Sequence, residues 1–456
     1  MCDSDSGVSI SMNGSQSDSP LQRLVFIKIT MPDETSEVFS FSPNDLIMDI
    51  KLVVVGKQSL PLKDELNYGL FLPPSKGKAG KFLQEDRMLL DYPFESSVGH
   101  LELKYKQRVY RVLKTNINKL RKINTKTNFR QFIENVKMAD VDKVSKWLNK
   151  GLDPNFQWKQ NGETPLTLAV QLEKPYEMIM ALVAGGAHLD YRASDSMTPI
   201  HRASVKGNYE AIKVLLDLGQ SPNTRDKLDL TPLYYAVLNN TISLCIERLL
   251  FDHSPLGISD EAGLQEIHQA CRFGRVQHLE ILLAYGADIN VQTSKNGNTP
   301  LHICAYTGQE SCARMLLFRG ADKAIRNFNG HTPYEQAMIS SNTDIANLIK
   351  NFHDQDVVPI REYPKRNQRR RSFSRARSHQ RCSSMGRLND ISRNKNIQNA
   401  LAEFDTLTTF EQDHCNTLKG NCTNKNNTWM TSSISGFQLN SMMLDSMEFN
   451  ENKGNC

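Results

Sequence analysis

Nine cysteines and eleven histidines are the side chains with most to offer chemistry in this chain of 456 residues. The cysteines stand at 2, 245, 271, 304, 312, 382, 415, 422 and 456, and no two form a Cys-x-x-Cys pair. They read as reduced thiols, neither a disulfide framework nor a zinc site. His268 and Cys271 can share one helix face, where a structural histidine and a buried thiol are the expected roles. No H-E-x-x-H, G-x-S-x-G, nucleotide-binding glycine fingerprint or EF-hand loop occurs in the sequence. The run SKGKAGK (75–81) lacks phosphate-loop spacing and follows Pro73-Pro74, so a mobile basic loop is expected there. No catalytic residue, metal or cofactor is predicted, which leaves recognition as the chemistry to explain.

Recognition surfaces need elements to hold them, and a period supplies these. Triplets of the Thr-Pro-Leu type begin at Thr164, Thr198, Thr231, Gln265, Thr299 and Thr332, at steps of 34, 33, 34, 34 and 33 residues. His201, His268 and His302 follow three of them, and Ala169, Ala203, Ala236, Ala270, Ala305 and Ala337 come shortly after. This is the ankyrin signature T-P-L-H-x-A at its own period. Threonine caps the first helix of each repeat, and proline fits the first helical turn, where its missing N–H is no loss. Gly151, Gly186, Gly219, Gly286 and Gly320 follow apolar runs and allow the left-handed turn that stops the second helix. One junction departs from the pattern. Asp252 stands where glycine is expected, and the next repeat opens Gln265-Glu266-Ile267, without proline. Residues 131–155, with a helix at 141–149, read as one cap and residues 341–352 as the other, enclosing six to seven repeats.

The hairpin tips between repeats are the candidate partner contacts: Phe156, Trp158, Tyr191, Arg192, Arg225, Lys227, Arg326 and Phe328. Aromatics and arginines dominate interface hot spots. The alternative for Phe156 and Tyr191 is packing on a neighbouring repeat or on the first domain.

Residues 22–108 form a separate unit. LVFIKIT (24–30) alternates, MPDETSE is a turn, and VFSF (38–41) is a second strand. A helix starts at Ser42-Pro43-Asn44-Asp45, with Leu46, Ile47, Ile50, Val53 and Val54 at helical spacing. Strands around 68–72 and 101–105 complete a ubiquitin-like β-grasp order. The predicted fold class is thus an α+β β-grasp domain followed by an all-α ankyrin solenoid and a disordered tail. A β-grasp domain can bind a small GTPase by sheet extension, with flanking cations meeting the acidic switch surface. Lys28 in the first strand and Lys51 in the helix are placed to do so; the alternative for both is a solvated surface lysine.

Specific strings then resemble a known family, the Shank/ProSAP scaffolds. They are NYGLFLPPS (67–75), AGKFL (79–83), LKYK (103–106), RVY (108–110), GLDPNF (151–156) and GGAHLD (185–190). QEIHQACRFG (265–274), VQHLE (276–280), SCAR (311–314), FRGA (318–321) and DVVP (356–359) continue the similarity, which covers about residues 24–363. The resemblance implies GTP-loaded Rap and Ras as partners of the first module and spectrin or Sharpin-like proteins as partners of the array. It implies a postsynaptic or cortical scaffold, cytoplasmic and submembrane. The family's first-strand cation maps to Lys28, lysine in place of arginine, and its helix cation to Lys51. Its second-strand cation falls beside Glu37, a departure expected to weaken GTPase binding. No Src-homology-3, PDZ, SAM-like or proline-rich block follows residue 363, so a short decoy that competes with full-length scaffolds is the alternative function.

Charge is local. The net charge is +5, yet residues 361–393 carry eleven Lys/Arg against two acids, or +9, leaving −4 elsewhere. The chain as a whole is therefore not expected to bind nucleic acid. The run RRRSFSRARS (369–378) makes Ser372 and Ser378 targets for basophilic kinases and suits anionic lipid or acidic protein. A nuclear ankyrin cofactor is the third reading, and it depends on this run. Residues 1–21 and 353–456 are expected to be disordered, with 404–410 a possible short binding segment. The acidic, serine-rich start predicts no secretory signal, and no apolar run suits a membrane span. The basic connector (109–130), with Arg108, Arg111, Lys114, Lys119, Arg121 and Lys122, is expected to fold the first domain against the array.

Overall fold

The computed structural model describes residues 24–57, 62–75, 80–94, 98–109, 120, 122–360 and 362–368. All of them fall in one compact unit, Met1–Leu401. The loop at 76–79, Arg111, Lys114, Lys119, Arg121, Ser372, Ser378, residues 1–21, and residues from 369 onward of the tail expected to be disordered (353–456) lie outside the described residues. The earlier part of that tail differs from the expectation, with a short helix at Asp354–Asp356 and hydrogen bonds from Val358 and Asn367 to the array.

The first module is a five-stranded mixed sheet crossed by one helix. Its strands are β1 (Val25–Thr30), β2 (Ser36–Phe41), β3 (Tyr68–Leu72), β4 (Lys81–Phe82) and β5 (Val98–Tyr105), and its helix is α1 (Ile47–Gly56). The strand order is β2-β1-β5-β3-β4, with β1 and β5 parallel and the other pairs antiparallel. This is the β-grasp arrangement expected from the strand pattern. Alternation along β1 buries Ile27 and Ile29 and leaves Phe26 and Lys28 outside. The inward faces of β1, β2 and β5 close on Ile47, Ile50 and Val54 of α1. The two-residue β4 went unread in the sequence, because two residues carry no period.

The array begins at the helix Lys126–Lys137 and proceeds by helix pairs to Thr343–Asn351. Thr164, Thr198, Thr231, Thr299 and Thr332 are all helix N-caps with proline in the first turn, as their spacing predicts. The six signature alanines are all fully buried, which lets neighbouring helices approach closely. The histidines act as bolts between repeats. His201 Nδ1 accepts from the Thr198 N–H at 3.3 Å, while its Nε2–H donates to Leu230 O in the next hairpin at 3.2 Å. His302 spans from Thr299 to His331 O, and His268 from Gln265 to Val291 O, in the same way.

The irregular junction has a specific geometry. Asp252 keeps a helical φ of −86°, and His253, one residue later, fills the left-handed glycine position with φ 67°. The residue replacing glycine is therefore His253, a correction to the sequence alignment. At the next opening, Glu266 stands in place of proline and turns its carboxylate back onto the Gly257 and Ile258 N–H groups, at 3.0 and 3.2 Å. That bond orders the loop between the two repeats. Burial raises the Glu266 carboxyl to about 7.

Burial also holds His201 neutral, down to about 3, and His268 down to about 4. A depressed histidine gives stability that is complete above the unfolded value near 6.5 and is lost as pH falls toward the folded value. Each such group contributes about 1.4 kcal/mol per pH unit within that window. Glu266 acts with the opposite sign, since its folded value is raised, so whole-protein curves mix the two. Comparing wild type with His201→Gln cancels Glu266. Urea unfolding between pH 6.5 and 4 is expected to show the wild type losing stability more steeply, by about 1.4 kcal/mol per unit; parallel curves would contradict the bolt.

Candidate functional site

The first module is joined to the array by a buried polar seam. Lys51, on the inner side of α1, is 1% exposed, with its ammonium 2.6 Å from Glu85 Oε1 and 3.1 Å from Leu66 O. Lys106, just past β5, reaches the same Glu85 oxygen at 2.7 Å and Asp190 of the array at 2.6 Å. Two cations and two carboxylates thus alternate across the joint. Burial alone would raise the Glu85 carboxyl, but Lys106 and Lys51 outweigh it and hold it well below the usual range. Burial lowers Lys51 to about 8, only partly offset by Glu85. Lys106, with Asp190 and Glu85 both beside it, is raised despite its burial.

Hydrogen bonds extend the seam. Asn67 faces Arg192 in both directions: its Oδ1 accepts from the Arg192 N–H at 2.8 Å, and its Nδ2 donates to Arg192 O at 3.1 Å. The Arg192 guanidinium is spent on Ser196 O and Arg225 O. The Tyr105 hydroxyl donates to Asp64 Oδ2 at 2.8 Å, so the Tyr191 hydroxyl, 2.8 Å away, donates to Tyr105. His188 Nε2 meets Gln107 O at 2.7 Å, and the Arg108 guanidinium donates to Leu148 O and Leu152 O at 2.7 and 2.8 Å. Gln107 and Arg108, at the end of the first unit, thus hold it against the array, while Arg111, Lys114, Lys119 and Arg121 of the connector lie outside the described residues.

Several predicted contact residues are consumed here. Lys51 is no surface cation, because α1 turns it inward onto Glu85. Tyr191 is buried and Arg192 is 1% exposed, both beneath the first module. Phe156 stacks on Phe129 at 4.2 Å and packs on the array core. Lys51, Tyr191 and Arg192 are thus buried and not available to a partner, whereas Phe156 is half-buried. Sequence reading missed Asp64, Asn67, Glu85, Lys106 and Asp190, although Asn67, Lys106 and Asp190 sit inside three of the family-like strings.

Two surfaces remain open. On the sheet, β2 is an edge strand, and alternation places Phe26 and Lys28 beside Val38 of β2 and beside Val98 and His100 of β5 on the outer face. Val38 is 62% exposed, and Phe26 and Val98 are exposed with it. Glu37 is exposed on the same edge strand. On the array, Lys227 and Leu228 are exposed at one tip, and Arg326 and Phe328 at another, with Phe328 65% exposed. Arg225 is half-buried, its guanidinium 2.7 Å from Asp229 O. Trp158 is half-buried, its indole N–H 3.2 Å from Gln160 Oε1. Cys245, Cys271, Cys304 and Cys312 are buried, and burial raises the Cys245 thiol to about 11. Among the described residues no cluster of His, Cys, Asp or Glu could hold a metal ion, and no helix is long and apolar enough to cross a membrane.

Models of ankyrin repeats match residues 136–226 (three copies) and 267–317 (many copies). The class is therefore an ankyrin-repeat protein carrying a β-grasp module. The chain is 44% identical over 361 residues to SH3 and multiple ankyrin repeat domains protein 2 of Homo sapiens, covering 78% of this chain and 20% of that protein. It is 46% identical over 357 residues to SH3 and multiple ankyrin repeat domains protein 1 of Mus musculus, covering 78% and 16%. The Shank/ProSAP resemblance is thus shown along 78% of the chain, which spans a fifth or less of the length of these relatives. The crystal structure of the ankyrin repeat domain of Bcl-3 aligns at TM-score 0.43 and 24% identity, covering 47% of this chain and 97% of that one.

The seam should be fragile at its centre. Glu85→Gln leaves two buried ammonium groups facing one carboxylate, a loss on the order of 3–5 kcal/mol. Urea denaturation of the full chain is the check, and a change below about 1 kcal/mol would contradict the central role of Glu85.

Proposed function

We propose that this protein is a non-enzymatic scaffold that brings a small GTPase of the Rap/Ras type together with a cytoskeletal partner. The observation that carries this reading is the open β2 edge, with Lys28 and the exposed Phe26 and Val38 beside it. An edge strand with unpaired backbone groups accepts a strand from a partner, and a cation next to it favours an acidic surface. The buried Lys51 leaves Lys28 as the cation of the family pattern that supports this role. Glu37 on the same strand works against an acidic partner, so modest affinity is expected.

The array supplies the second arm. Its exposed tips at Lys227, Arg326 and Phe328 support a protein partner, with a spectrin-like or Sharpin-like protein the candidate from the resemblance. Cytoplasmic, submembrane placement, at the postsynaptic density in neurons, follows from the same reading.

Titration of the full chain with GTP- and GDP-loaded Rap tests the first arm. Tighter binding of the GTP form is expected, with Lys28→Glu weakening it by roughly 5- to 10-fold, in line with one exposed charge contact of about 1 kcal/mol. Equal affinity for both nucleotide states, or no effect of the charge reversal, would end the GTPase reading.

A further inference from the structure

The irregular junction and the chain that follows the last helix meet at one point. Gly151, Gly186, Gly219, Gly286 and Gly320 close five outer helices in the left-handed region, whereas His253 holds that conformation with a full side chain. A non-glycine residue adopts it at a cost, and such outliers persist where the surroundings use them.

The segment beyond Thr343–Asn351 runs back along the outer helices. The Val358 N–H donates to Phe318 O at 2.8 Å, and Arg319 donates to Val358 O at 3.1 Å. Further along, the Arg366 guanidinium donates to Tyr285 O at 2.9 Å and lies over the Tyr285 ring, 5.5 Å from its centre. Asn367 is then read on three sides. Its N–H donates to Phe251 O at 2.8 Å, its carbonyl accepts from His253 Nε2–H at 2.8 Å, and its carboxamide donates to Asp252 Oδ1 at 2.5 Å.

Fixed partners for both main-chain groups of one residue are the mark of an extended-peptide site. The side-chain contact selects the residue. Asp252 is 1% exposed and also pairs with Arg248 at 3.2 Å, so its buried carboxylate requires donors. A carboxamide supplies one at that reach. A carboxylate in its place would set two negative charges together. One residue earlier, Tyr285 offers a carbonyl and a ring face, which suit a guanidinium better than an ammonium. Glycine at 253 would make the turn without strain but would supply no imidazole.

We propose that Phe251, Asp252, His253 and Tyr285 form a peptide-binding site that reads an Arg-Asn pair, filled here in cis by Arg366 and Asn367. The irregular junction is then a receptor, and the segment 356–368 is its tethered ligand. The tether ends just before the run RRRS (369–372). The assignment stands apart from the GTPase reading, since it involves neither the sheet edge nor the hairpin tips.

Hydrogen exchange on the full chain tests it. His253→Gly restores the regular turn and removes the imidazole; the array is expected to melt no lower, while exchange across residues 362–368 quickens at least tenfold. Asn367→Asp, which alters no residue of the repeats, is expected to release the same segment to a similar degree. A labelled peptide of residues 356–368 should then bind the Asn367→Asp chain saturably, and at least tenfold more weakly both wild type, whose site is filled, and the His253→Gly/Asn367→Asp double variant. Unchanged exchange in Asn367→Asp, or equal peptide binding by the single and double variants, would overturn the proposal.

Discussion

One carboxylate holds the two modules in a shared arrangement. Glu85 lies in the first module with Lys51 and Lys106 on the same oxygen, and Lys106 continues to Asp190 in the array. Charges buried this deeply are tolerated only when their partners are close and their remaining hydrogen-bonding capacity is met. Asn67 and Arg192 add a two-way amide clasp beside the charges, and Tyr105 adds a hydroxyl relay to Asp64. Such groups are costly to separate, because parting the modules would leave each one needing new partners. The seam specifies orientation more than it adds stability, since buried ion pairs roughly balance their own desolvation.

That seam divides the surface. The tips of the first repeats, which carry Tyr191 and Arg192, are spent inside the molecule, while those at 227 and 328 face outward. The β2 edge also remains open, since α1 and the array both meet other parts of the sheet module. The free margin of the sheet and the tips at 227 and 328 are thereby left exposed.

The repeat architecture was legible because its letters are local. Thr198 caps a helix that begins one residue later, and His201 reaches back three residues to help it; such constraints are written within one turn of chain. The β-grasp class was legible from the succession of two strands, a helix and two further strands, and alternation in β1 marked its buried face. The joint was not legible for the opposite reason. Asn67 and Arg192 are 125 residues apart, and Lys51 and Glu85 are separated by 34. Nothing near Lys51 marks it as buried, and a tip such as Tyr191 looks like any other tip until a second module covers it. The clue that was available was polarity at inward positions: Lys106 directly after the buried alternation of β5, and Asn67 directly before β3. At the irregular junction the sequence showed that something was missing, and only φ 67° at His253 showed which residue had taken the place.

The parallel pairing of β1 with β5 has a mechanical consequence. Five residue pairs, from Phe26 with Val98 to Thr30 with Glu102, lie side by side with both strands running the same way. Tension applied to the start of β1 and to the array beyond β5 pulls these neighbours in opposite directions along their length. The hydrogen bonds between them are then loaded in shear together, so none can be peeled away singly. A module built this way meets stretching along its strands with five residue pairs at once.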